Sequence, residues 1–196
     1  MRAFSFELQR FTNTVTSRNQ HHLTFWRGDV GRLGPVELVV PALEAVPVTD
    51  RTSRMGAMVT GENIPVSVFT GLPYGGRPRL ARGRLSVAGQ DAAFSRRALR
   101  ASRSGRALRI WAVGRQYRYE EVSNRRHHVL VRPESRIVMD RSSANNPQRI
   151  SGAAHGAADS VDISLAILFE GVYTRNLSLR GALISAPGRV MDRLGD

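Results

Sequence analysis

The residues of this chain that could carry chemistry are mostly arginines, and they are concentrated in one stretch. Between Arg77 and Arg149 there are 18 arginines and five acids, whereas the rest of the chain has 11 arginines and 11 acids. The chain has no lysine, and guanidinium groups bind phosphate and carboxylate in a bidentate manner that an ammonium group cannot match. The net charge of +13 in 196 residues therefore belongs to this stretch, and it predicts an anionic partner.

The arginines of this stretch cluster at two predicted hairpin tips and alternate with aromatic residues. The predicted anion-binding residues are Arg96, Arg97, Arg100, Arg103, Arg106, Arg125 and Arg126. Interleaved aromatics predict stacking on bases by Trp111, Tyr117 and Tyr119, as in proteins that bind single strands. Three interpretations stay open: an anionic surface such as phospholipid, a nucleic acid, or a solvated basic face that only keeps the protein in solution.

No other set of residues has the spacing of a reactive site. Without cysteine the chain has no thiolate nucleophile and no cysteine ligand for zinc or iron. The histidines His21-His22, His127-His128 and His155 lack the spacing of a chelate and are predicted to be polar loop residues. The glycine-rich residues 71–77 match neither a phosphate-binding loop nor a dinucleotide fingerprint. We therefore predict no catalytic residue, no metal site and no cofactor, and a protein that is not an enzyme.

The elements that must position the arginines are predicted to be short β-strands. From Arg79 to Asp140, runs of β-forming residues recur every 8–12 residues with a turn signal between them, which is typical of an antiparallel meander in a barrel or sandwich. Further strand runs precede them at Phe4–Leu8, Val36–Val40 and Ile64–Phe69. The sequence therefore predicts a mostly-β fold.

One segment does not fit this pattern of short strands. Asp159 can accept hydrogen bonds from the first turn of a helix, and Asp162 adds negative charge at its positive end. The segment Ile163–Phe169 has only one polar residue, and Gly171 is the predicted end of the helix. A helix that is apolar on nearly every side must be buried on nearly every side, so we predict that it plugs or caps the strands. A buried strand is the alternative.

The order of these elements resembles the tubby-like superfamily, and most closely its bacterial members related to LURP-one-related proteins and phospholipid scramblases. The resemblance covers residues 79–179 and is carried by Gly114-Arg115-Gln116-Tyr117-Arg118-Tyr119, Val129-Leu130-Val131-Arg132, Arg136-Ile137-Val138-Met139 and the apolar segment that begins Asp159-Ser160-Val161-Asp162. It implies a closed barrel of twelve strands around a hydrophobic C-terminal helix, and a protein that binds anionic phosphoinositides or has no assigned activity. The N-terminal half departs from the family pattern, because its strand runs are fewer and interrupted by proline.

The predicted organisation is one β-rich domain over residues 21–185, preceded by a mobile segment at 1–20 and followed by a frayed tail at 186–196. No secretory signal and no apolar run of about 20 residues is found, so a cytoplasmic protein, peripheral to the membrane at most, is expected. The leading functional hypothesis is a binding module whose arginine-rich face over 77–149 docks on anionic phospholipid or an acidic protein. The alternatives are a nucleic-acid binder without sequence preference and a structural subunit, either a homo-oligomer or part of a larger assembly.

Overall fold

A computed structural model describes residues 4–12, 23–41, 55–72, 83–96, 107–123, 126–144 and 147–172. Within these residues the chain forms twelve strands and one α-helix, with a short 3-10 turn at Gly31–Leu33. The elements are β1 Phe4–Thr12, β2 Leu23–Asp29, β3 Pro35–Pro41, β4 Met55–Gly61, β5 Ile64–Leu72, β6 Arg84–Val87, β7 Gln90–Arg96, β8 Leu108–Ala112, β9 Arg115–Glu121, β10 His127–Arg132, β11 Ser135–Arg141, β12 Arg149–Gly156 and α1 Ser160–Val172.

The strands form a closed antiparallel barrel in which each pairs with its neighbours in sequence. The barrel closes where β1 pairs with β12, with Phe6 opposite Gly152 and Leu8 opposite Ile150. Each of the twelve described strands therefore has a paired neighbour on both sides, and none of them is an edge strand. The predicted mostly-β antiparallel fold is confirmed, and it is a barrel rather than a sandwich.

Strand alternation separates an inner apolar face from an outer face. In β8, Leu108, Ile110 and Ala112 are buried, whereas Arg109 and Trp111 point outward. The side-chain period of two makes this separation strict, since a slip by one residue would turn the apolar set to solvent.

The helix α1 lies in the interior of the barrel. Every residue from Asp162 to Glu170 is buried, so the helix is enclosed on all sides rather than packed on one face. The ring of Phe169 lies 6.2 Å from that of Phe69 on β5 and 5.8 Å from that of Tyr119 on β9, so it packs against two separate strands of the wall. The predicted buried helix is confirmed and the alternative of a buried strand is wrong.

The end of the helix differs from the prediction. Gly171 is not the stop residue, because α1 continues to Val172. A Cβ at Gly171 would lie 2.9 Å from Leu38 and 3.0 Å from Val40, so this glycine lets the last turn approach the inner face of β3. The glycine is explained by close packing rather than by a left-handed cap. At 13 residues, α1, the one helix among the described residues, falls well short of the length needed to cross a bilayer.

The two ends of the barrel differ in how they connect the strands. At the turn end, short connections join β2 to β3, β4 to β5, β6 to β7, β8 to β9 and β10 to β11, and β12 leads into α1. At the loop end, the longer connections leave β1, β3, β5 and β7, and β9 and β11 end there as well. Because the helix follows β12, its N-terminus lies at the turn end and its C-terminus at the loop end.

The predicted domain boundaries need one correction. Residues 4–12 form β1, which pairs with β12 and β2, so this part of the expected mobile segment is a barrel strand. Phe6 and Leu8 are buried in the core. Burial of these alternate side chains fixes the register of β1 against its neighbouring strands. Residues 13–20 and the predicted tail at 186–196 lie outside the described residues.

Candidate anion-binding surface

The positive charge of the chain is not distributed evenly over the barrel. The described residues contain 13 of the 29 arginines and 12 of the 16 acids, so the described barrel is almost neutral. The stretches 13–22, 42–54, 73–82, 97–106 and 124–125 lie outside the described residues and contain eleven arginines and two acids. Each of them is flanked on both sides by residues at the loop end. The turn-end connections, by contrast, contain Arg32, Glu62, Glu134 and Asp159.

Two of the predicted anion-binding residues are described, and both lie at the loop end. Arg126 is exposed, and its Nε donates to the backbone carbonyl of Arg141 at 3.0 Å. Arg96 is the last residue of β7 and is only 7% exposed, so the prediction that it contacts a partner at the surface is wrong for the described conformation. Arg97, Arg100, Arg103, Arg106 and Arg125 lie outside the described residues.

Three further arginines point inward and bind the carboxylates of the helix. At the turn end, Arg132 Nε donates to both oxygens of Asp162, at 3.0 and 3.1 Å, and Arg115 lies 2.5 Å from Asp159. At the loop end, Arg141 donates to the backbone carbonyl of Glu170 at 3.1 Å, and its Nε lies 3.5 Å from the carboxylate of the same residue. Arginines from the barrel wall therefore stabilise both ends of the buried helix.

The first turn of α1 is capped as the sequence predicts. The Oδ1 of Asp159 accepts hydrogen bonds from the backbone N–H groups of Val161 and Asp162, both at 3.1 Å. Asp162 returns the interaction, since its Oδ2 accepts from the backbone N–H of Asp159 at 3.2 Å. This reciprocal arrangement is a capping box. Partial burial raises the pKa of Asp159, but the hydrogen bonds from Arg115 and the backbone of Asp162 outweigh it and hold the pKa below its usual value.

The predicted stacking residues do not lie on one surface. Trp111 is 40% exposed on the outer face, beside Arg109 as the alternation predicts, but it lies near the turn end. Tyr117 and Tyr119 are buried, with hydroxyls that donate to Asp162 at 3.0 Å and to Glu170 at 2.8 Å. Burial raises the pKa of Tyr117 to about 12 and that of Tyr119 well above its usual value. The prediction that these two rings stack on bases is wrong, because a ring inside the barrel offers no face to a ligand.

Sequence reasoning also missed a buried polar cluster at the loop end of the helix. His128, predicted to be a polar loop residue, is fully buried in β10, and its Nδ1 lies 3.2 Å from each carboxylate oxygen of Glu170. Full burial raises the pKa of Glu170, but His128, Arg141 and the Tyr119 hydroxyl together hold it below its usual value. Among the described residues, no group of three or more acidic or histidine side chains converges on a possible metal site.

A second basic feature runs across the outer wall of the barrel. Arg109, Arg118 and Arg136 lie in one outer row on β8, β9 and β11, with Val131 of β10 between the last two. Arg109 and Arg118 are directly opposite each other on neighbouring strands. Repulsion between these two like charges destabilises the pairing of β8 with β9. Among the described acids, none is within ion-pair distance of Arg109 or Arg136. We call these three arginines the wall row; two of them, Arg109 and Arg118, line a groove of about 860 Å³ at the turn end.

Comparison of the chain with protein families, with characterised proteins and with solved structures finds no match.

Proposed function

We propose that this protein is a non-enzymatic binding module that docks on an anionic phospholipid surface with the loop end of its barrel. The proposal depends on the finding that almost none of the net positive charge of the chain belongs to the described barrel. The described barrel is almost neutral, and eleven arginines lie in stretches whose flanking residues are all at the loop end. Each of these stretches is joined on both sides to strand ends at the loop end, and we therefore assign the contact to that end of the barrel.

Basic stretches joined to several strand ends suit a charged plane better than a single compact ligand. Several loops around the end of a barrel can each contact a different headgroup, and each cation near an anionic bilayer contributes about 1 kcal/mol. The nucleic-acid alternative has less support, because two of its three stacking residues are inside the barrel and Trp111 is near the opposite end. A protein with this role would lie in the cytoplasm and bind the membrane peripherally.

We also infer that the chain is a relative of the tubby-like superfamily. The closed barrel of twelve strands and the buried C-terminal helix support this assignment, since both were implied by the resemblance of the sequence. The family inference concerns ancestry and fold, whereas the docking proposal depends on where the charge of this chain lies.

The test is vesicle co-sedimentation of two variants with the same change in net charge. Arg100→Gln/Arg103→Gln/Arg125→Gln removes three arginines expected at the loop end, and Arg109→Gln/Arg118→Gln/Arg136→Gln removes the wall row. On vesicles of phosphatidylcholine with phosphatidylserine, the first variant should bind about 100-fold more weakly than the unmodified chain. The second should bind within a few-fold of the unmodified chain.

Three results would contradict the proposal. They are equal losses in both variants, loss only in the wall-row variant, or equal binding to vesicles of phosphatidylcholine alone. Binding should also weaken as the salt concentration rises, because the attraction is electrostatic and screened.

A further inference from the structure

Four side chains form a compact patch on the outer wall near the turn end. Cross-strand register sets Arg109 opposite Arg118 and Trp111 opposite Gln116, on the neighbouring strands β8 and β9. All four are exposed on the outer face. Neighbouring strands are about 4.8 Å apart and alternate residues of a strand about 7 Å apart, so the patch has the dimensions of one small ligand. We call these four residues the Trp–Arg patch.

The patch belongs to a groove of the size that holds a small molecule. Arg109, Gln116 and Arg118 line the groove of about 860 Å³ at the turn end. Trp111 lies directly opposite Gln116, so register places its ring beside the groove. Sites for small molecules commonly have volumes of about 300–1,000 Å³.

The other charged groups that line the groove already have partners. Arg115 contacts Asp159, and Arg132 contacts Asp162, so the helix neutralises both arginines. Glu134, the one acid in the lining, is paired with Arg132. These groups therefore hold the helix and the rim of the barrel together, and they leave the outer arginines to a ligand.

Arg109 and Arg118 are the two arginines of the groove that remain available. Arg109 has no acid within ion-pair distance among the described residues. Arg118 lies 3.4 Å from one acid, Glu120, and about half of the Arg118 side chain is exposed. An anion placed between the two guanidinium groups would bind both forks and remove their mutual repulsion.

Trp111 and Gln116 supply what a planar ring needs. Trp111 is 40% exposed, and in the described part of the chain no aromatic ring or arginine stacks on it. Nucleic-acid bases stack on exposed aromatic side chains, whatever the base. The amide of Gln116 can both donate and accept hydrogen bonds, as the edge of a base requires.

We propose that the Trp–Arg patch binds a nucleoside phosphate, with the phosphate between Arg109 and Arg118 and the base on Trp111. The ligand is a single nucleotide rather than a strand, because a strand needs a longer basic track. The next outward residue beside Arg118 is Val131 of β10, which interrupts the cations. The inference does not depend on what the loop end binds, since the patch lies near the opposite end of the barrel.

Tryptophan fluorescence tests the site in the full-length chain. The chain has two tryptophans, and Trp26 is only 7% exposed, so a stacking ligand should quench Trp111. AMP should quench this emission in physiological salt. Adenosine, which lacks the phosphate, should quench at least about 10-fold more weakly, and inorganic phosphate should compete with AMP at least about 10-fold more weakly than unlabelled AMP itself. An oligonucleotide of eight deoxyadenosines should not quench at a lower concentration than AMP.

Two variants with the same change in net charge locate the phosphate. Arg109→Gln should weaken the binding of AMP by about 10-fold or more, because one guanidinium fork is lost. Arg136→Gln removes an outward arginine two strands away from Arg118, and it should bind AMP like the unmodified chain. Circular dichroism checks that both variants are folded.

Four results would overturn the proposal. The first is no quenching by AMP at millimolar concentration, and the second is equal loss in Arg109→Gln and Arg136→Gln. The third is competition by inorganic phosphate as strong as by AMP, since the site would then bind a plain anion without the base. The fourth is quenching by the oligonucleotide at a lower concentration than AMP, which would make a strand the ligand.

Discussion

Arg132 and Asp162 form an ion pair that connects strand β10 to the first turn of the buried helix, with Arg132 Nε 3.0 and 3.1 Å from the two carboxylate oxygens. The two side chains are only 10% and 1% exposed. The hydrogen bond to Asp162 raises the pKa of Arg132. An arginine guanidinium stays charged even without such a partner. The pair therefore stabilises the fold chiefly because neither charge can be left alone in the interior.

The first prediction follows from that pair. We expect Asp162→Asn to lower the free energy of unfolding by about 3 kcal/mol, because the largely buried guanidinium of Arg132 then keeps only the exposed Glu134 as a charged partner. Urea denaturation followed by circular dichroism measures this. Asp140→Asn is the control, since Asp140 pairs with His127 at a partly exposed position and should cost less than about 1 kcal/mol. A similar cost for both variants would contradict the argument.

The second prediction concerns stability in acid. The pKa of Glu170 is lower in the folded chain than its ordinary value of 4.5, because His128, Arg141 and Tyr119 outweigh the effect of burial. A lowered folded-state pKa stabilises the protein above the unfolded-state pKa, and this contribution is lost as the pH falls through the folded-state value. We expect the free energy of unfolding to decrease below about pH 4.5.

Glu170→Gln should make the free energy of unfolding depend less strongly on pH below about pH 4.5, because the substituted side chain does not titrate. Phe169→Ala is a useful control, since it should weaken the core by about 3–5 kcal/mol without removing a carboxylate. Phe169→Ala should have a lower free energy of unfolding at each pH. The dependence of that free energy on pH in acid should match that of the unmodified chain. An unchanged slope in Glu170→Gln would contradict the prediction.

The third prediction concerns stability in alkali. Burial raises the pKa of Tyr117 from 10.0 to about 12 in the folded chain. A raised folded-state pKa stabilises the protein below the unfolded-state value, and the contribution is lost as the pH rises through the folded-state value. Between about pH 10 and 12, unfolding should therefore become easier as the pH rises.

Phenolate absorbance reports this ionisation directly. Tyr117→Phe should remove part of the absorbance change above pH 11, and it should reduce the slope of stability against pH in the same range. Trp111→Phe is a matched control on the outer wall, because it changes an aromatic residue without removing a phenol. The prediction is contradicted if Tyr117→Phe loses absorbance near pH 10, where an exposed tyrosine ionises.

The parts of the fold that were predicted from sequence are those with strong local signals. The strands β8 to β11 are rich in β-branched and aromatic residues and are separated by Gly114 and Pro133, so alternation and turn chemistry agree there. The capped helix was predicted because Asp159 and the following apolar run can be identified without any tertiary contact.

Strands β4 and β12 were missed because their sequences oppose the strand pattern. They contain Gly56, Gly61, Gly152 and Gly156, and glycine is depleted in strands. Tertiary neighbours explain some of these glycines, since a Cβ at Gly61 would lie 2.5 Å from the side chain of Ile64. Such requirements cannot be seen in a single sequence.

The inward-facing arginines and His128 were missed for a related reason. Arg132 and Asp162 are 30 residues apart, and His128 and Glu170 are 42 residues apart, so only the register of the barrel brings them together. The local sequence pattern predicts which face of its strand each side chain occupies. It does not predict which distant side chain will be its partner. Of the seven arginines predicted to bind anions, five lie outside the described residues.

The fourth prediction tests the close approach that closes the barrel between β1 and β12. Gly152 lies directly opposite Phe6, and a Cβ at Gly152 would be 2.1 Å from the tip of the Phe6 ring. The ring is buried and rigid, so it cannot move aside without displacing the core. Gly152→Ala should therefore lower the free energy of unfolding by about 2–3 kcal/mol. Phe6→Leu shortens the side chain and should itself cost about 1–2 kcal/mol.

The double variant separates steric conflict from the intrinsic cost of replacing glycine. If the ring is the obstacle, Gly152→Ala should cost less in the Phe6→Leu background than in the unmodified chain, by about 1–2 kcal/mol of coupling. Additive costs in urea denaturation would mean that the two residues do not interact in this way. Because this pair lies at the β1–β12 seam, a clear coupling would also be direct evidence in solution that the first and last strands are neighbours, as a closed barrel requires.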